Sequence, residues 1–134
     1  MNLGLLYKKV YKDYPNAIKW YEKSYDMGDS DACVNLGILY KEQKDIQNAI
    51  KWYKKGVELK NYSSIKNLGN LYHKQDKNIK GGAYMIGLLS IKPEKKKKLL
   101  SYLKTKWKLT NEELKKAYKL QKTLVPNPYT GGIE

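Results

Sequence analysis

Phenylalanine and arginine are both missing from these 134 residues, and cysteine and histidine occur once each. With Cys33 alone, an intramolecular disulfide and a cysteine-rich metal site are excluded, and a reducing intracellular home is the expectation. His73 has only Asp76 near ligand spacing, so no metal and no cofactor is expected, and the ring reads as an exposed helix position. Cys33 beside Ala32 reads as small buried filler, since no base accompanies it. The chain also lacks the roughly 18 to 20 consecutive apolar residues of a membrane span; its longest apolar stretch, Ala83 to Ile91, is interrupted by Gly87 and Ser90. No basic segment followed by an apolar core opens the chain, so secretion is not expected. A cytoplasmic location follows, that of a host cell were the source viral.

Apolar residues make up 41% and charged residues 30%, which suits one folded domain with a real core. The formal net charge is +14, carried by lysine alone. Such a bias fits an AT-rich genome, in which case part of the charge is codon drift and not selection for a ligand. Its distribution is uneven: residues 1–60 hold 11 lysines and 8 carboxylates, residues 61–134 hold 16 and 5.

The tripeptide NLG begins at Asn2, Asn35 and Asn67, and AIKWY begins at Ala17 and Ala49, both recurring at a nearly constant interval in the low thirties. Periods of this size mark stacked helical hairpins. Leu36, Leu39 and Tyr40, then Ala49, Ile50, Tyr53 and Val57, follow the spacing of one helix face. Asp13 and Asp45 are placed as N-caps, and Pro15 is tolerable in a first turn. Gly28 and Asn61 are expected to take the left-handed conformation at hairpin ends, with Ser30 and Ser63 capping the next helices. Asp29 and Asp31 also read as caps. A glycine inside a helix costs about 1 kcal/mol relative to alanine. Gly4, Gly37 and Gly69 therefore predict close helix contact, with Ala17 or Ala49 and the ring of Tyr21 or Tyr53 against them.

Leu36, Gly37, Tyr40, Ala49 and Tyr53 resemble the tetratricopeptide pattern, and Gly28 to Tyr40 with Ala49 to Lys55 resemble the related Sel1-like repeat. The resemblance covers residues 2 to about 75; the Gly37–Ala49 separation is the tetratricopeptide one, without the longer Sel1-like loop. It implies an all-α fold, a right-handed α-solenoid of about three helix-turn-helix repeats closed by a C-terminal helical pair. We expect units of about 1–28, 29–60 and 61–92, basic capping helices over 93–125 and a tail over 126–134. In the third unit GGAYMIGLLSI replaces AIKWY and is apolar all round, so it must be covered on several sides. The cover expected is Leu99, Leu100, Leu103 and Trp107, then a helix opened by a Thr110–Glu113 capping box, carrying Leu114, Ala117, Tyr118, Leu120, Gln121 and Leu124, and stopped by Pro126. At the other end only Met1 precedes Asn2, so the first helix is short or upstream repeats are missing; in the latter case an exposed apolar face there pairs with a second copy.

No carboxylate pair has an acid/base setting, and Gly81-Gly82 lacks the context of a phosphate loop, so no catalytic residue is expected and the chain reads as a non-enzyme. Relatives of this fold hold peptides on the concave face lined by the first helix of each unit. The outward positions of those helices are Val34, Asn35, Ile38, Lys41, Glu42, Lys66, Asn67, Asn70 and Lys74. Lys66, Asn67 and Asn70 also resemble part of the carboxylate clamp of some tetratricopeptide domains; here one unit alone carries it, and asparagine in NLG also has a structural use between helices. The function expected is a non-catalytic scaffold binding a protein or peptide. The alternative is a basic accessory module that meets nucleic acid or an acidic partner through Lys95, Lys96, Lys97, Lys98, Lys104, Lys106 and Lys108. Tyr102, Trp107 and Tyr118 are interleaved with these lysines but share the leucine stripe, so they are expected to face the core.

Overall fold

The computed structural model describes residues 2–134, and all its regular structure is helical. The α-helices are α1 (Leu3–Lys9), α2 (Tyr14–Asp26), α3 (Asp31–Glu42), α4 (Ile46–Glu58), α5 (Tyr62–Lys74), α6 (Asn78–Gly87), α7 (Lys96–Thr105) and α8 (Asn111–Leu124), with short 3-10 turns at Leu88–Ser90 and Pro93–Lys95. The all-α class and the helical repeats are therefore as expected. Two compact units divide the chain, one ending at Ser64 and the other beginning at Ile65.

In the first unit α1 packs on α2, α2 on α3 and α3 on α4. A methyl group added at Gly4 would lie 2.5 Å from the Tyr21 ring, and one at Gly37 would collide with Tyr53. Burying a tyrosine ring removes roughly 150–250 Å² from water, an upper value of about 4–6 kcal/mol. That outweighs the roughly 1 kcal/mol helix cost of each glycine. Ala17, Tyr21, Cys33, Leu36, Leu39 and Trp52 form the core, and Tyr25 meets Trp52 edge-on at 5.2 Å.

The turns repeat as closely as the helices. Lys12, Lys44 and Asp76, each one repeat from the next, hold φ of 52°, 62° and 60° at the turn inside each hairpin. Gly28 and Lys60, likewise one repeat apart, hold φ of 96° and 57° between hairpins. The left-handed residue is thus Lys60, not Asn61 as the sequence suggested. Asn61 instead caps α5, its Oδ1 accepting from Ser64 N at 2.9 Å, while its Nδ2 donates to Ser30 Oγ and Asp31 Oδ1. Neither Ser63 nor Ser30 is the cap expected of it: Ser30 makes no side-chain cap bond, and Asp29 Oδ1 accepts from Asp31 N at 3.0 Å. Ser63 already lies inside α5, and Ser30 holds helical φ and ψ of −68° and −22° in place of the extended backbone of a cap. Asp13 and Asp45 cap as expected, and each carries a second bond from the amide of Asn16 or Asn48 at 2.7 Å.

In the second unit α6 is buried along its length from Gly81 through Gly87, as its all-round apolar sequence requires. A methyl at Gly81 would stand 2.7 Å from the Gly69 carbonyl oxygen, one at Gly82 3.0 Å from Leu109, and one at Gly87 2.7 Å from Val125. Each glycine admits a different neighbour: α5, the entry to α8, and its exit. Leu100, Leu103, Trp107, Leu114, Ala117 and Gln121 are buried, and the Thr110–Glu113 capping box is formed with both bonds.

Candidate functional site

On α3, Leu36, Gly37 and Leu39 are buried, whereas Val34, Asn35, Ile38 and Lys41 remain half-buried on the rest of the helix surface. Val34, Ile38 and Lys41 lie one helical turn apart in succession and make a stripe. Glu42 is committed elsewhere, its carboxylate accepting from Lys8 Nζ at 3.0 Å. On α5, Lys66 and Lys74 are exposed and Asn67 and Asn70 half-buried, so the four sequence-derived residues share one helix.

Lys97, Lys98 and Lys104 project from α7, and Lys106 and Lys108 from the loop after it; Lys95 belongs to the preceding 3-10 turn and Lys96 is half-buried. Trp107 is buried and stacks flat on His73 with centroids 4.1 Å apart, and Tyr118 is half-buried. Tyr102 departs from the expectation: it is 42% exposed, because its place on α7 is one residue round from the buried Leu103. His73 is half-buried instead of exposed, with Nδ1 donating to Asn78 Oδ1 at 2.6 Å.

Cys33 is fully buried, which pushes its thiol up; the same cause pushes the Tyr53 and Tyr84 phenols up to about 12. Among the described residues no group of three or more His, Cys, Asp or Glu is placed to hold a metal ion, and no helix is long and apolar enough to cross a membrane.

Two features went unread in the sequence. A cleft of about 530 Å³ lies among Leu3, Trp20, Lys23, Met27, Asp29 and Asn35. Met27 is 88% exposed, and its equivalent in the next repeat, Leu59, is 52% exposed; that recurrence of an apolar residue beside the left-handed turn was the available signal. The other is the docking of the tail on Gln121, for which a glutamine inside an apolar stripe was the signal.

Residues 1–29 match the family model of the Sel1 repeat and residues 30–63 that of the tetratricopeptide repeat. The two matches meet between α2 and α3, where one hairpin gives way to the next. No curated protein and no solved structure matches the chain. Repeats of these families are generally non-catalytic scaffolds for protein–protein interaction. Hairpins seated on glycine at a regular period, with family matches through residue 63, make residues 1–63 Sel1-like and tetratricopeptide-like helical repeats.

Proposed function

We propose that the chain is a non-catalytic interaction module whose first helices each offer an outward face to a peptide or protein segment. Val34, Asn35, Ile38 and Lys41 on α3 and Lys66, Asn67, Asn70 and Lys74 on α5 are the contact residues. The observation that carries this reading is the stripe on α3: Val34 and Ile38 stay partly open although the neighbouring Leu36 and Leu39 are fully buried. A helix whose inward face is already satisfied gains nothing for its own fold from two further branched apolar residues, whereas a partner gains an anchor from each. Replacing Val34 and Ile38 together by glutamate should abolish recovery of partners by cross-linking in the native host while leaving helical circular dichroism intact. Recovery unchanged by that pair and by Lys66→Ala with Asn70→Ala would refute it.

A second reading, a basic surface that meets nucleic acid or an acidic partner through Lys95–Lys98, Lys104, Lys106 and Lys108, is favoured by Tyr102. This ring is 42% exposed among the α7 lysines, where it can stack or pack on a ligand.

A further inference from the structure

The last eight residues, NPYTGGIE, are held to α8 mainly through their backbone. Gln121 is fully buried, and its side-chain amide makes both of its bonds to one residue of the tail: Nε2 donates to Tyr129 O at 2.6 Å, and Oε1 accepts from Tyr129 N at 3.0 Å. A side-chain amide used this way imitates the edge of a β-strand, and it reads an extended backbone whatever side chain that residue carries. Gly132 N donates to Tyr118 Oη at 3.3 Å, and the Tyr129 ring meets Tyr118 edge-on. The chain then ends against α7, where Glu134 O accepts from Lys96 Nζ at 3.1 Å.

Charge at this end is not balanced by what occupies it. On one side of Glu134 a depression of about 580 Å³ is lined by Lys96, Lys97 and Lys104 with Ser101 and Thr105; on the other, one of about 480 Å³ is lined by Lys115, Lys116 and Lys119. Six lysines therefore face two acidic residues, Glu134 and the Glu112 that pairs with Lys115 at 3.7 Å, and Thr130, Gly131 and Gly132 bring no charge. Asn127, between Pro126 and Pro128, holds a left-handed φ of 48°, so the tail leaves α8 through a turn distinct from the helix.

We propose that this groove is a binding site for an extended, acid-ended peptide of another protein, and that residues 127–134 occupy it in cis as an undercharged placeholder. The inference rests on the second reading above and gives it a partner class. A tethered occupant competes at high effective concentration, so the incoming peptide must be better matched to the lysines than Glu134 is. The buried Gln121 amide supplies the need for an occupant, since emptied of backbone it would lose both hydrogen bonds.

The test uses two fluorescent peptides, NPYTGGIE and the more acidic NPYTGGEE, titrated by polarisation against the full chain. The wild type is expected to bind both weakly, NPYTGGEE the more tightly. A full chain with the tail weakened by Tyr129→Ala and Glu134→Lys should bind each about ten-fold more tightly, because its own end competes less. Adding Gln121→Leu, or Lys96→Ala with Lys104→Ala, should remove that gain, and low salt should restore binding in neither case beyond the parent's. The lysine pair lies on the surface, so it remains decisive should the Gln121 variant melt early by circular dichroism. Failure of the tail-weakened chain to bind either peptide overturns the proposal, as does binding indifferent to Gln121 and to the two lysines. A single-stranded oligonucleotide titrated in parallel separates the two readings: its binding without peptide binding leaves the basic surface standing and removes the peptide groove.

Discussion

In the α3–α4 hairpin, Ala49 and Tyr53 are fully buried and the Tyr53 ring lies over Gly37; in the α5–α6 hairpin the same positions, one repeat on, are Gly81 and Met85, and the seat is Gly69. One hairpin fills the space between its helices with a ring. The other brings main chain to main chain, and the flexible thioether of Met85 occupies what remains. The turn φ values at Lys44 and Asp76 nevertheless agree within a few degrees, at 62° and 60°. The backbone period is thus independent of the filler. What the filler changes is the outer face: Ile50 is half-buried and Lys51 exposed, whereas their equivalents Gly82 and Ala83 are buried because α8 lies on that side. A repeat that must accept a cap gives up its polar face and the ring at the Tyr53 position, while its buried rings, Tyr72 and Tyr84, stack on each other.

The comparison breaks most directly at its smallest residues. Gly81→Ala places a methyl 2.7 Å from the Gly69 carbonyl oxygen and 3.1 Å from His73 N. Both are backbone atoms that cannot rotate away, so the helices must separate, at an expected cost of roughly 2–3 kcal/mol in urea unfolding after allowing for the better helix propensity of alanine. Ala49→Gly at the equivalent position should cost less, about 1–2 kcal/mol, from propensity and one lost methyl. A neutral Gly81→Ala would show that the third hairpin has room to spare and that its glycines are not demanded by packing.

Alkaline titration sharpens the same contrast. Burial pushes the phenols of Tyr53 and Tyr84 up to about 12, with the charge of Glu42 adding to the effect at Tyr53 and Tyr72 at Tyr84. In the unfolded chain both ionise near pH 10. Between those values the folded state holds protons that the unfolded state has lost, so stability is fully present below about pH 10 and falls as pH rises towards 12, by at most about 1.4 kcal/mol per pH unit per group. Tyr53→Phe and Tyr84→Phe should each raise the midpoint of alkaline unfolding, read by circular dichroism. The Tyr53 substitution should be neutral or mildly stabilising at pH 7 as well, since its buried hydroxyl finds no partner among the described residues.

Much of this was legible in the sequence because repetition states the same demand more than once. NLG and AIKWY identified the seat and the ring that covers it, Asp13 and Asp45 identified two helix starts, and Thr110–Glu113 a third. The third hairpin remained in register although only its first half kept the motif, because its period survives where its composition does not. Turn detail was harder. Asn61 suits both a left-handed residue and a cap, and lysine at positions 12, 44 and 60 carries no turn signature, so the division of labour between Lys60 and Asn61 depends on hydrogen bonds that only the folded junction offers. Tyr102 departs from its expected place, whereas Gln121 is buried in the stripe as expected and its hydrogen bonds are what the spacing leaves unsaid. One step round the helix from Leu103 carries an aromatic from the core to the surface, and an amide within an apolar stripe says nothing of which main chain it holds.

The smallest expected effect concerns the helix starts, where the two hairpins differ by one side chain. Asp45 Oδ1 accepts from Asn48 N at 3.2 Å and Oδ2 from Asn48 Nδ2 at 2.7 Å, whereas Lys77, its counterpart in the following repeat, offers α6 no side-chain cap. Asp45→Ala should therefore cost about 1 kcal/mol, and Lys77→Asp should add up to about 1 kcal/mol by supplying the missing acceptor and placing a negative charge at the positive end of the helix. The gain has one local competitor. Asn78 Oδ1 already accepts from His73, which in turn stacks on Trp107, so an aspartate at position 77 must reach past the residue that anchors this pair. If Lys77→Asp stabilises by the full amount in urea unfolding, the two hairpins share the start of their second helix as they share its period. If it gives nothing while Asp45→Ala is costly, the His73–Asn78 bond has taken over the role of the cap, and the third hairpin is fastened at its turn by the same histidine that meets the C-terminal tryptophan.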